Sequence, residues 1–137
     1  MAEQLLFELV SPERLVLSRP VEMVVIPGVE GDLGALPGHA PLISELRPGV
    51  IVVFEGGQAE ERIFVAGGFA EVAGERCTVL AEQAMAIGQI DRSAVEIDLR
   101  DAHDDLQHSK DEHERIEAET AIAVAEAKLA ALETTVY

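Results

Sequence analysis

The sequence predicts a mainly β protein with an α appendage: an N-terminal antiparallel β-sandwich followed by a C-terminal two-helix hairpin. Three observations carry this. Before Ile90, short β-branched or apolar runs alternate with Gly/Pro turn signals, the pattern of an antiparallel sandwich or flattened barrel. No segment there is long enough, and free enough of Gly and Pro, to form a crossover helix, which argues against a parallel α/β fold. After Ile90 the 47 residues to the end contain neither Gly nor Pro. The domain boundaries follow: residues 1–88 for the sandwich and 89–137 for the helical arm.

Strands are expected at 5–10, 21–26, 50–54, 63–66, 69–72 and 78–81, with shorter ones at 15–17, 33–36 and 84–87. Ser11-Pro12, Pro27-Gly28, Pro37-Gly38, Pro48-Gly49, Gly56-Gly57, Gly67-Gly68 and Gly74 separate them. Gly67-Gly68 reads first as a hairpin turn, and alternatively as a bulge where a neighbouring backbone comes close. The stretch from Pro27 to Pro41 holds seven Gly or Pro in fifteen residues. It lacks the Lys and Ser/Thr of a phosphate-cradling loop, so it reads as a shaped docking edge.

In the arm, Asp91 or Ser93 can cap a first helix. Val95, Leu99, Ala102 and Leu106 make one apolar stripe, which fades at residues 107–111 where His108, Ser109 and Asp111 suit a turn. A second helix is expected from about Glu112, with the stripe Ala118, Ile122, Ala125, Leu129 and Leu132. An antiparallel hairpin is the first reading and one uninterrupted helix the second. Alanine dominates the second stripe, so the hairpin buries little area per residue.

The formal net charge of −16 repels phosphate backbones and anionic headgroups, so neither nucleic acid nor an anionic lipid surface is an expected partner. Hydrophobic residues make up 48% of the chain, enough for a core, and aromatics only 4%, so that core is aliphatic. Cys77 is the lone cysteine and is expected as a buried, inert thiol in a strand. No apolar stretch approaches membrane-spanning length and no secretory signal opens the chain, so no membrane insertion is expected.

Catalytic chemistry does not assemble. Three of the four histidines, His103, His108 and His113, are spaced by five and spiral around a helix. Asp104, His108 and Asp111 read as solvated turn groups rather than a metal site, and His39 alone cannot furnish a metal centre in the sandwich. Ser11 and Ser44 have no base nearby, and no nucleophile-elbow motif occurs. Glu60 and Glu61 adjoin and would face opposite ways on a strand. No catalytic residue, cofactor or metal is therefore expected. Glu30 and Asp32 flank Gly31 and would project from the Pro27–Pro41 edge toward basic or amide groups. His39 reads as either a backbone-bonded loop residue or an interface contact.

Three segments carry a family resemblance: FELVSPERLVLS from Phe7, VVIPGVEGDLGALPGHAPLISELRPG from Val24, and FVAGGFAEVAGERCTVLAEQA from Phe64. In their order and spacing the chain resembles the epsilon subunit of bacterial F-type ATP synthase, called delta in mitochondria. The resemblance implies a β-sandwich with a C-terminal helical hairpin. It implies a non-catalytic rotor subunit of the central stalk that couples the gamma subunit to the c-ring of a proton-translocating enzyme and supports ATP synthesis. It places the protein peripherally on the cytoplasmic face of the bacterial inner membrane. The implied c-ring contact is Glu30, Gly31 and Asp32, and the implied gamma-facing residues are His39 and Pro41.

Relatives also implicate the arm in inhibiting ATP hydrolysis through the alpha and beta subunits, which is the alternative reading of function. Arg115 and Lys128 are the candidate arm contacts. Residues 91–137 carry thirteen acidic and five basic side chains, so weak inhibition is expected. Some members bind ATP through a pattern like I/L-D-x-x-R-A. Here Ile90 and Asp91 match, but Ala94 and Val95 stand where Arg and Ala belong, so ATP binding is not expected. A free small-molecule-binding sandwich is the remaining class.

Overall fold

The computed structural model describes residues 4–133, so the outer ends of the two expected domains, residues 1–3 and 134–137, lie outside the described residues. The chain divides into two compact units between Ala86 and Ile87.

The first unit is a sandwich of eight strands: β1 (Leu5–Ser11), β2 (Arg14–Val21), β3 (Met23–Gly28), β4 (Gly31–Ala35), β5 (His39–Glu45), β6 (Gly49–Glu55), β7 (Gln58–Gly74) and β8 (Arg76–Ala86). Their order is β2-β1-β8-β7-β6-β3-β4, with β5 also paired to β7. Period-two alternation builds the core. Leu5, Phe7 and Leu9 of β1 face Cys77, Val79 and Ala81 of β8, Val24 and Ile26 of β3, and Ile51 and Val53 of β6, all buried in one cluster.

The seventeen-residue β7 belongs to both layers. From Gln58 to Val65 it pairs with β6, from Phe69 to Gly74 with β5, and with β8 along both halves. The change of partner falls at Gly67-Gly68. A hairpin turn there is therefore incorrect: the strand continues and its register with β8 is unbroken, Ala66 opposite Gln83 and Gly68 opposite Ala81. The two glycines serve close approach instead. A β-carbon on Gly68 would lie 1.8 Å from the Leu80 carbonyl oxygen, and its φ of +105° is one that side chains disfavour.

Further expectations change. The run 21–26 is two strands' worth of chain: β2 continues to Val21, and β3 begins at Met23. The Pro27–Pro41 edge holds β4, where the short strand at 33–36 is expected, and also the start of β5, where none is. Strand β5 was obscured by Pro41, which sits in an irregularity of the ladder between His39 and Leu42, where a missing N–H costs nothing. One ladder, β1 with β8, is parallel within the otherwise antiparallel set. Glu60 and Glu61 do not diverge: a register shift opposite Val53/Phe54 re-aims them, and Arg19 of β2 holds both, at 3.3 and 2.7 Å.

The second unit begins with a 3₁₀ turn at Ile87–Gln89 and continues as an antiparallel pair of helices, α1 (Arg92–Gln107) and α2 (Glu112–Glu133). The Asp91 carboxylate caps α1, accepting from the Ser93 and Ala94 amides at 3.0 and 3.3 Å. The chain breaks at His108–Asp111, which rejects one uninterrupted helix, and Asp111 accepts from the Glu114 amide at 2.8 Å to start α2. Val95 and Ala102 on α1, and Ala118 and Ala125 on α2, are the buried residues of the pair. Each two-residue set recurs every two turns, so small side chains line a narrow seam. Arg92 in the first turn of α1 reaches Glu133 in the last turn of α2 at 2.9 Å, tying the open end.

The crossing at Gly68 makes a direct prediction. Gly68→Ala should remove more than about 3 kcal/mol of unfolding free energy or abolish folding, through clash and φ strain together. Gly34→Ala, with open space around its position, should change stability by less than about 0.5 kcal/mol. Urea unfolding followed by circular dichroism separates the two.

Candidate docking surface

The outer face of the sandwich is apolar where strand alternation should make it polar. Leu15 of β2 pairs with Val10 of β1, Val10 with Leu80 of β8, and Leu80 with Phe69 of β7. These form one row across four strands. Ile43 of β5 stands diagonally beyond Phe69, opposite Glu71. Leu15, Phe69, Leu80 and Ile43 are 56, 55, 53 and 66% exposed. Val10, Pro12, Phe69, Leu80 and Ala81 also line an open groove of about 270 Å³. A contiguous exposed apolar row on a folded domain marks an interaction surface. Sequence reasoning missed it, yet a signal exists. Leu9-Val10, Phe69-Ala70 and Val79-Leu80 each place two apolar residues side by side in a strand, so one of each pair must point outward.

A second groove, of about 340 Å³, runs between the β3–β4 hairpin and β5, lined by Val29, Glu30, Asp32, Leu33, Ile43 and Glu45 among others. It brings together the expected contacts Glu30, Gly31 and Asp32, but not His39 or Pro41. Glu30 sits exposed in the two-residue turn joining β3 to β4, and Gly31 follows at φ 136°. Asp32 has a different situation: Arg47 holds its carboxylate at 2.5 Å. His39 opens β5 and is half-buried, and its Nδ1 donates to the Ala40 carbonyl at 2.7 Å. Pro41 is exposed in the β5 irregularity. His39 and Pro41 thus share the edge strand that also carries Ile43.

On the arm, Arg115 is exposed but engaged within its own helix, with Glu112 and Glu119. The hydrogen bond and charge of Arg115 pull the Glu112 carboxyl below its ordinary range, and Glu112 in turn raises Arg115. Lys128 is half-buried on α2. Asp91 and Arg92, the residues nearest to a nucleotide pattern, are spent on the α1 cap and the Glu133 pair. His108 Nδ1 donates to the Asp104 carbonyl at 2.8 Å, and Asp111 caps α2. Among the described residues no group of three His, Cys, Asp or Glu is placed to hold a metal ion. Likewise no helix among them is long and apolar enough to cross a membrane.

An apolar row on a stiff sandwich, with a separate helical hairpin, is the architecture of a docking subunit within a larger assembly. Residues 4–87 match the family model described as ATP synthase, Delta/Epsilon chain, beta-sandwich domain. The ATP synthase epsilon chain of Rhodospirillum rubrum is 56% identical over 131 residues, covering 96% of this chain and 98% of the relative. That of Paramagnetospirillum magneticum is 48% identical, with 96% and 99% covered. Among solved structures, a chain of the Euglena gracilis mitochondrial ATP synthase OSCP/F1/c-ring assembly matches with a TM-score of 0.82 and 30% identity, over 94% of this chain and 81% of that one. A chain of the Tetrahymena thermophila mitochondrial ATP synthase central stalk/c-ring shares the fold, with a TM-score of 0.66 at 14% identity over 96% and 97% of the two chains. The chain belongs to the ATP synthase epsilon-chain family. It is a non-catalytic subunit of that enzyme complex.

Burial pushes the Cys77 thiol up to about 12, leaving almost no thiolate at neutral pH. Cys77 should therefore resist a chromogenic disulfide reagent at pH 8 in the native protein and react fully once urea unfolds it. Rapid native labelling would contradict the burial.

Proposed function

We propose that the chain is a rotor subunit of the central stalk, which seats the gamma subunit on the c-ring of a proton-translocating F-type ATP synthase and supports ATP synthesis. The observation that carries this is the row of exposed Leu15, half-buried Val10 and exposed Leu80 and Phe69. A surface of that kind needs a permanent partner, and the matched structures are ATP synthase assemblies that contain F1, the central stalk or the c-ring. In this reading gamma covers the apolar row together with the edge carrying His39 and Pro41. The tip at Glu30, Gly31 and Asp32 meets the polar loops of the ring. The sandwich suits torque transmission because β7 runs through both layers with β8 paired along both its halves, which opposes shear between the layers. The protein acts peripherally, on the cytoplasmic face of the bacterial inner membrane.

A second reading makes the arm a regulator that inhibits ATP hydrolysis through the alpha and beta subunits, with Arg115 and Lys128 as contacts. What favours it is the division of the chain into two compact units, the second with caps and an end-tie of its own. Against a strong effect stand the acidity of the arm and the engagement of Arg115 by Glu112 and Glu119.

Two variants test these readings. Phe69→Ser combined with Leu80→Ser should leave the melting temperature within a few degrees, since both side chains are exposed, and weaken binding to isolated gamma by more than about tenfold. Unchanged binding would reject the proposed seat. Deleting residues 91–137 should preserve ATP synthesis in reconstituted vesicles and raise hydrolysis by less than about twofold, whereas a regulatory arm would release it by about tenfold or more.

A further inference from the structure

The tip of the β3–β4 hairpin is held by more than its own ladder, which ends at Gly28 opposite Gly31. Val29 and Glu30 form a two-residue turn, with Gly28 opposite Gly31. The turns that suit such hairpins need positive φ at one or both central residues, and among the described residues no side-chain-bearing residue adopts positive φ. The tip is also tied from outside by the end of β5 and the segment that follows it. The Val29 amide donates to the Glu45 carbonyl at 2.9 Å, and the Arg47 amide to the Pro27 carbonyl at 3.0 Å. The Arg47 guanidinium then reaches both strands of the hairpin. Nη1 donates to the Gly28 carbonyl on β3, and Nη2 to the Asp32 carboxylate on β4, each at 2.5 Å. Gly28 is buried, so its carbonyl depends on a protein donor.

We propose that Arg47 is the positioning residue of the tip: it spans the two strands, fixes the turn that presents Glu30, and keeps Asp32 as an internal partner rather than a contact. This rests on the reading of the tip as a rotor contact, and it divides the roles of the two carboxylates that flank Gly31. Asp32 acts through Arg47, while Glu30, exposed at the apex, meets the partner. A guanidinium can satisfy both acceptors at once in a fixed fork; an ammonium, a compact point charge, cannot hold the same two-pronged geometry. Arg47→Lys should therefore retain only part of the effect.

The test is a double-mutant cycle read by affinity for a detergent-purified gamma–c-ring complex stripped of this subunit, paired with hydrogen exchange on the free protein. Glu30→Gln should weaken binding about tenfold with no change in exchange at the tip. Arg47→Gln and Asp32→Asn should each weaken it about three- to tenfold, and the double variant no further than Arg47→Gln alone, because Asp32→Asn removes a contact that Arg47→Gln has already broken. In Arg47→Gln the amides of residues 29–33 should exchange at least about tenfold faster, while those of Val72 and Val79 in the core stay as they were. Arg47→Lys should fall between the wild type and Arg47→Gln. Additive losses in the double variant would mean that Asp32 touches the partner itself, and would overturn the proposal. So would an Arg47→Gln protein with unaltered affinity and tip exchange. Should the wild type fail to bind the rotor complex at all, the rotor reading falls, and with it the assignment of Glu30.

Discussion

At Gly68 two backbones touch where any other residue would have placed a carbon atom. That contact, β7 against the Leu80 carbonyl of β8, lets a single strand leave one layer and enter the other without breaking its ladder. Both layers then share β7, with β8 paired along both its halves, so the sandwich is closed by continuous chain rather than by side-chain packing alone. Loops can join two sheets, but they bend. A shared pair of strands bends only by distorting hydrogen bonds along its whole length, a constraint that adds to the packing of a small core built mostly of aliphatic side chains around Phe7.

The same crossing shapes the docking face. Phe69 follows Gly68 directly, and Leu80 provides the carbonyl against which Gly68 packs. Two exposed apolar side chains of the outer row therefore sit at the point where the layers join. Beside them, the tip at Glu30 is held by the Glu45–Arg47 segment, whose Leu46 amide donates to the Gly68 carbonyl at 3.0 Å. The apolar row and the acidic tip are thus tied within one hydrogen-bonded framework. The helical unit is made differently. Alanines at two-turn spacing let its helices approach closely but bury little, and its stability leans on caps and on the Arg92–Glu133 tie.

Much of this architecture could be read from the residues. Turn punctuation and β-branched or apolar runs identified the sandwich, the absence of Gly and Pro identified the arm, Asp91 was one of two candidate caps for its first helix, and Asp111 was read as part of the turn before the second. The misses have physical causes. Gly67-Gly68 looks like a turn because glycine pairs in turns and glycines at close backbone contacts leave the same trace; only the partner strand distinguishes them. Strand β5 hid behind Pro41, which a ladder tolerates at an irregularity on an edge strand. Arg47 gave no signal, since its two partners lie nineteen and fifteen residues away and come together only through the hairpin. The apolar row was present as doubled hydrophobic residues, but which of each pair points outward depends on register. The candidate contacts at Glu30, Gly31 and Asp32 came from family resemblance, and their unequal environments became visible only in three dimensions.

Side-chain radical footprinting of the protein alone and within intact ATP synthase reads the proposed seat most directly, because it reports on Phe69, Leu80, Leu15 and Ile43 individually. Modification of all four should drop severalfold on assembly, with Ile97 of α1 as an exposed reference on the other unit. If Phe69 and Leu80 stayed as reactive in the assembled enzyme as in the free chain, the sandwich would not be seated on this face, and the account would be wrong.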